Sequence, residues 1–331
     1  MFVKRCIATL VFVLAATTVL ASELERRIAE ASRDGKTWIA WSVPSTVSHM
    51  CCGEFYRSNF VQGHCRLSEA DNSSYRNDED EEREPTVRAT ARVWVRADRG
   101  EIDRIKMVSL DCEVDTSSVR TALLEDVEPA DSVALLAAEV DEHPRRLADE
   151  LLGVIATHAD PAADAALERL LARGEGELGT KAAFWLASER GSRGAQAVSA
   201  AFDAEEDADV RKELTFPLYI SDRETANQKL IRAARRDSDS EVRKQALFWI
   251  AQRAGERATA TLEEAVDEDP DRDVRQSAVF AISQLPPDRG VPLLIDLARE
   301  HKDPNVRRQA IFWLGQMDDP RAVDFLVSLI D

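Results

Sequence analysis

Val242-Arg243-Lys244-Gln245-Ala246-Leu247-Phe248-Trp249-Ile250 returns further along the chain as Val306-Arg307-Arg308-Gln309-Ala310-Ile311-Phe312-Trp313-Leu314. Val274 lies midway between the two starts, and Val210 and Leu178 precede them, so one position recurs every 32 residues. Arg211, Arg243, Arg275 and Arg307 follow the last four of these. Six places beyond the start come Phe184, Phe216, Phe248, Phe280 and Phe312; two places further are Leu186, Leu218, Ile250, Ile282 and Leu314. A fixed period of this size marks an array whose units stack, a solenoid.

Within one unit, Val242, Ala246, Trp249 and Ile250 fall at i, i+4, i+7 and i+8, one face of a helix. Asp207, Asp239, Asp271 and Asp303 stand just before these helices, where a short carboxylate caps free N–H groups. Pro304 follows Asp303 at a first helical position that tolerates a missing N–H. A second apolar stripe closes each unit: Val291, Leu293, Leu294 and Leu297, then Val323, Phe325, Leu326 and Leu329. Each unit therefore reads as helix–turn–helix. Residues 146–171 fit as a degenerate first unit, and residues 132–140 as part of a half unit before it.

The recurring Val-Arg-x-x-Ala-x-x-x-Leu/Ile resembles HEAT repeats of the short bacterial kind, also found in phycobilisome chromophore lyases. The resemblance spans about 143–331. It implies an α-solenoid that serves as a protein-binding scaffold. The lyase activity belongs to particular members and is not carried over. Pro217 departs from the pattern by standing where other units have Trp, and a bend is expected there.

The expected fold is mostly α: a C-terminal solenoid of about six 32-residue units behind a small antiparallel β domain tied by disulfides. Residues 1–21 read as a signal peptide, with Lys4 and Arg5, an apolar Ile7–Leu20 and small residues before Ser22. The expectation is an exported bacterial protein, periplasmic or secreted, with no stable membrane span after cleavage. Residues 22–35 read as a short polar helix, 36–118 as the β domain and 119–142 as a helical connector. Thr37–Pro44, Val87–Arg96 and Ile102–Val114 are strand-like, with Asp98-Arg99-Gly100-Glu101 as a hairpin turn. An acidic loop at about 70–86 contains Asp78-Glu79-Asp80-Glu81-Glu82.

The net charge of −18 becomes about −20 without the signal, which opposes binding to nucleic acid phosphates. Four of the five cysteines, Cys51, Cys52, Cys65 and Cys112, fall in the β domain and none in the repeats. An even, clustered set in an exported chain reads as two disulfides. All three pairings stand; bridges from Cys51 and Cys52 to different partners avoid a strained bond between neighbours. The alternative is a metal or thiol-redox centre built from His49, Cys51, Cys52, His64 and Cys65, although their spacing matches no standard zinc module. Met50-Cys51-Cys52 and Asp111-Cys112-Glu113 also resemble exported bacterial HEAT-repeat proteins with a cysteine-bearing front domain, which implies no assigned activity.

No Gly-x-Ser-x-Gly, His-Glu-x-x-His or phosphate-cradling loop occurs. His143, His158 and His301 read as surface histidines at loops or helix ends. No cofactor is expected, and the chain reads as non-enzymatic; a site between the two domains is the remaining enzymatic alternative. The Arg column reads either as a ladder with the capping Asp residues, holding units in register, or as an anion-binding groove. The Phe column reads either as core or as an apolar strip for a partner. The last unit keeps an internal pattern, so its outer face is expected to be covered by a second copy or another protein.

Overall fold

The computed structural model describes residues 22–47, 65–67, 90–110, 112–142, 145–173, 176–221, 223–253 and 256–330. The leader, the acidic loop, and His49, Cys51, Cys52, His64 and His143 lie outside them. Helix α1 (Glu23–Ala31) opens with a reciprocal cap: Glu25 N–H donates to Ser22 Oγ at 3.2 Å, and Ser22 N–H to Glu25 Oε2 at 2.6 Å. Its Leu24 and Ile28, four residues apart, are buried.

The sheet has four strands in the order β4-β3-β1-β6. β1 (Thr37–Pro44) pairs antiparallel with β3 (Thr90–Asp98), which pairs antiparallel with β4 (Glu101–Ser109). The expected hairpin is present, and its turn places Arg99 (φ 52°) and Gly100 (φ 95°) in the left-handed region, as a two-residue turn between twisted strands requires. The sheet is not wholly antiparallel, because β6 (Thr121–Leu123) adds parallel to β1. β2 (Cys65–Arg66) and β5 (Val114–Asp115) form a separate two-residue parallel pair.

Period-two alternation divides β1 between two faces. Trp38 and Ala40 pack in one cluster with Cys65, Leu67, Trp94, Val108 and Cys112. Ile39, Trp41 and Val43 join a second cluster that runs without interruption into the helices as far as Phe325. The small sheet therefore shares its core with the array.

α2 (Pro129–Glu142) leads into six helix pairs: α3 (Arg145–Thr157) with α4 (Pro161–Leu171), α5 (Glu177–Glu189) with α6 (Gly191–Ala204), α7 (Ala208–Ile220) with α8 (Glu224–Arg236), α9 (Ser240–Arg253) with α10 (Glu256–Glu268), α11 (Arg272–Ser283) with α12 (Pro287–Glu300), and α13 (Pro304–Leu314) with α14 (Pro320–Val327). The four expected caps are made: Asp207, Asp239, Asp271 and Asp303 accept from the N–H groups of Asp209, Glu241, Asp273 and Asn305 at 2.7–2.8 Å. α7 continues through Pro217 to Ile220.

The apolar faces differ from the expected stripes in two places. In α9, Leu247 and Ala251 are buried with Val242, Ala246 and Ile250, whereas Trp249 is only half-buried. The helix is gripped by both the adjoining units and its own partner helix, which widens the buried arc beyond one stripe. In the last unit, Ala322 and Phe325 of α14 are buried while Val323 and, beyond the helix, Leu329 are exposed.

Candidate interaction surface

Successive first helices (α5, α7, α9, α11, α13) lie closer along their length than successive second helices do. The units are therefore joined chiefly through their first helices. The Phe column lies on this layer. Phe184, Phe248 and Phe280 are half-buried, Phe216 is 37% exposed and Phe312 is 57% exposed. The column is neither a sealed core nor a bare strip.

Aromatic partners explain the intermediate burial. Phe216 reaches forward to Trp249 of the next unit, with ring centroids 4.9 Å apart, and Phe280 reaches Trp313 at 5.0 Å. Tyr219 stacks on Trp249 at 5.0 Å, with the Arg253 guanidinium 5.1 Å above the tyrosine ring. Pro217 occupies the Trp position of its unit, and Phe184 instead stacks on Phe216 at 6.2 Å. The corresponding position after Phe248 is Ala281, and Phe248 packs edge-on against its own Trp249, as Phe184 does against Trp185 and Phe312 against Trp313. Such ring pairs contribute roughly 0.5–1.5 kcal/mol each beyond their burial. The Trp column carried this signal in the sequence, at residues 185, 249 and 313.

Charge on this layer is locally balanced. Lys212 meets Asp209 at 2.8 Å, Lys181 meets Glu177 at 2.8 Å, and Lys244 meets Glu241. Gln245, Gln276 and Gln309 stand among them. In a chain of net charge −18, the aromatic layer is thus not an acidic face.

The Arg column forms a ladder between units, but its partners differ from those expected. Arg211 makes two hydrogen bonds to Asp237, at 3.0 and 2.9 Å, and Arg243 two to Asp269, at 2.8 and 3.0 Å. These acids stand two residues before the capping Asp239 and Asp271. Each capping side chain is already accepting helix N–H groups, which leaves the earlier carboxylate to face the guanidinium. The hydrogen bonds to Asp237 and Asp269 raise the Arg211 and Arg243 pKa values above the ordinary one. Each Arg also donates to backbone carbonyls at the preceding corner, Arg243 to Asp237 O at 2.8 Å and Arg307 to His301 O at 2.6 Å. The next step of the Asp237–Asp269 series is His301, so Arg275 falls back on the capping Asp303 at 3.5 Å. With their donors used in this way, Arg211 and Arg243 act as fasteners of the stack.

Two histidines read as surface residues are buried. His158 is 0% exposed, and His301 is 8% exposed with Nδ1 accepting from Asp303 N–H at 3.1 Å. Among the described residues, no group of three or more His, Cys, Asp or Glu is placed to hold a metal ion, and no helix is long and apolar enough to cross a membrane.

A family model for HEAT repeats matches residues 196–283, 227–299 and 259–331, with starts that advance by about one unit. Among solved structures, human deoxyhypusine hydroxylase in complex with glycerol is similar at 16% identity, over 61% of this chain and 91% of that one, with a TM-score of 0.26. The CpcE–CpcF complex of phycocyanin lyase from Nostoc sp. PCC7120 is similar at 19% identity, over 62% of this chain and 96% of that one, with a TM-score of 0.31. At these scores neither structure lends its chemistry to this chain. None of the curated proteins matches. The overlapping family matches, in register with the 32-residue step, show that residues 196–331 are HEAT repeats.

Proposed function

We propose that this chain is an exported bacterial scaffold that binds another protein on the first-helix layer of its HEAT array. The observation that carries the reading is the aromatic column: rings anchored against one another, with Phe216 partly and Phe312 largely exposed to solvent. Exposed aromatic residues on a rigid, charge-balanced layer are the kind of anchors that dominate protein interfaces. The partner's contact surface is accordingly apolar and amide-rich; the overall acidity serves solubility rather than selection of a basic ligand.

Phe312→Ala removes an exposed ring, so the melting temperature is expected to stay within about 2 °C of wild type. Binding is expected to fall at least tenfold, about 1.4 kcal/mol. The test is affinity capture with the full chain, identification of the captured protein by mass spectrometry, and titration of that purified protein against wild type and Phe312→Ala. Light scattering of the chain alone identifies the case in which the partner is a second copy. Equal affinity of the two proteins would remove the Phe column from the site.

The disulfide reading of the front domain belongs to the same proposal. Cys65 and Cys112 are both buried in the apolar cluster with Trp38 and Trp94, which favours a structural tie over a metal or thiol-redox centre. Each bridge contributes roughly 2–4 kcal/mol. The exported chain is expected to show no reactive thiol before reduction and four afterwards, at Cys51, Cys52, Cys65 and Cys112. Labelling of all four without reduction, together with bound metal, would reverse the choice.

A further inference from the structure

The joint between the sheet and the array is polar at its centre. Trp41 on β1 donates Nε1–H to Ser132 Oγ of α2 at 2.8 Å. Ser132 Oγ lies 2.9 Å from Nε2 of His158, just past the end of α3, and His158 Nδ1 lies 2.7 Å from the Val154 carbonyl oxygen. Trp41, Ser132 and His158 are all 0% exposed. A carbonyl only accepts, so Nδ1 carries the ring hydrogen and Nε2 is the acceptor. The Ser132 hydroxyl accepts from the indole and gives its single hydrogen to Nε2. The relay therefore runs in one direction, from Trp41 to Ser132 to His158 to Val154. Backbone bonds close the same joint: Thr46 N–H to Thr157 O at 2.9 Å and Ala159 N–H to Pro44 O at 2.9 Å, beside an isolated Ser45–His158 bridge.

A proton on Nε2 would turn the relay's acceptor into a donor. Ser132 Oγ would then face two donors, and its own hydrogen would have no acceptor. The charged groups around the imidazole offer little compensation. On the α4 side, Asp160 caps the helix by accepting from Ala162 N–H at 2.7 Å. From the end of α5, Arg190 donates to the carbonyls of Ala156 and His158 at 3.2 and 2.8 Å, and it is paired with Asp164 of α4 at 2.5 Å. Ser132 of α2 meets the ring, Trp41 of β1 reaches it through Ser132, Ser45 just past β1 bridges to His158 through the backbone, and β4 brings Met107 to the neighbouring Thr157. None of these residues is charged.

We propose that the Trp41–Ser132–His158 relay is an acid-sensitive latch, which frees β1 from α2 and from the end of α3 when His158 takes up a proton. Burial, first among the causes, lowers the His158 pKa from its ordinary 6.5; Arg190 adds to this, while the Val154 carbonyl and Asp160 oppose it. The sign follows. A lowered value in the closed state means that the open state binds the proton more readily. The latch's contribution is complete above pH about 6.5 and declines as the pH falls towards the lowered value, by up to about tenfold in the opening equilibrium per pH unit.

Hydrogen exchange on the full chain at pH 7.5 and 5.0, corrected for intrinsic rates, tests this. Exchange in 37–46 and 129–142 is expected to rise at least tenfold in acid, with 242–251 unchanged as the internal reference. In His158→Gln, whose side chain does not titrate, the acid response of the joint is expected to vanish. An equal response in that variant, or no selective rise in the wild type, would overturn the proposal. Should the variant fail to fold, NMR titration of the wild-type imidazole decides: a midpoint below 6.5 supports the latch, and one at or above 6.5 refutes it.

Discussion

Asp269→Ala is expected to lose about 3–5 kcal/mol of stability in urea unfolding, a large effect for a loop carboxylate. Arg243 and Asp269 are 7% and 9% exposed, joined by two hydrogen bonds at 2.8 and 3.0 Å. Removing the acid leaves a buried guanidinium that cannot shed its charge. It also frees the Asp271 N–H, which Asp269 Oδ1 accepts at 2.9 Å. The control is Arg275→Ala: its nearest carboxylate oxygen lies 3.5 Å away and both side chains are 22% exposed, so a loss below about 1 kcal/mol is expected. Arg243→Met combined with Asp269→Leu should recover most of the loss, because two apolar side chains leave no charge stranded. A loss below 1 kcal/mol for Asp269→Ala itself would show that the rung is wet and dispensable.

Gly194→Ala is expected to cost about 3 kcal/mol, at the upper end for a small-to-large change in packed structure. A Cβ at this position would lie 1.8 Å from the carbonyl oxygen of Leu186, and backbone cannot rotate aside as a side chain does. The cause is the corner. Arg190 is the only residue between α5 and α6, and it ends one helix and begins the next. Gly290, three units on, faces Ile282 O in the same way at 2.8 Å, across a corner of three residues. Gly290→Ala is therefore expected to cost less than Gly194→Ala. Sister units carry Ala226, Ala258 and Ala322 at this position, all buried. Thermal unfolding of the two variants side by side gives the order, and the reverse order would show that corner length does not set the fit.

Much of this was legible because it is local or periodic. The 32-residue step predicted the helix pairs, the four Asp caps and the Phe column, since each repeats where the same unit is built again. What escaped was decided at long range. His158 sits at a helix end, where a histidine is usually wet, but β1 comes from over a hundred residues earlier and covers it. β6 is three residues with no alternation to read, and only its place beside β1 makes it a strand. The Asp237–Asp269 series was in plain view at the repeat step. Its role is masked because Asp239 and Asp271 lie two residues on and already fit the cap position. The candidate surface was half legible: Phe248 falls outside the Val242–Ala246–Trp249–Ile250 stripe, but the openness of each ring depends on what the next unit puts opposite it, Trp249, Ala281 or Trp313.

The aromatic pairs and the Arg rungs fasten the same junctions unequally. Between α7 and α9 both are present, Phe216 on Trp249 and Arg211 on Asp237. Between α9 and α11, Arg243–Asp269 stands without a Trp opposite Phe248; between α11 and α13, Phe280 on Trp313 stands beside a rung stretched to 3.5 Å. In mechanical terms the array is a spring of uneven stiffness. The doubly pinned α7–α9 joint is the stiffest of the three, and the two singly pinned joints beyond it yield first when the array is strained.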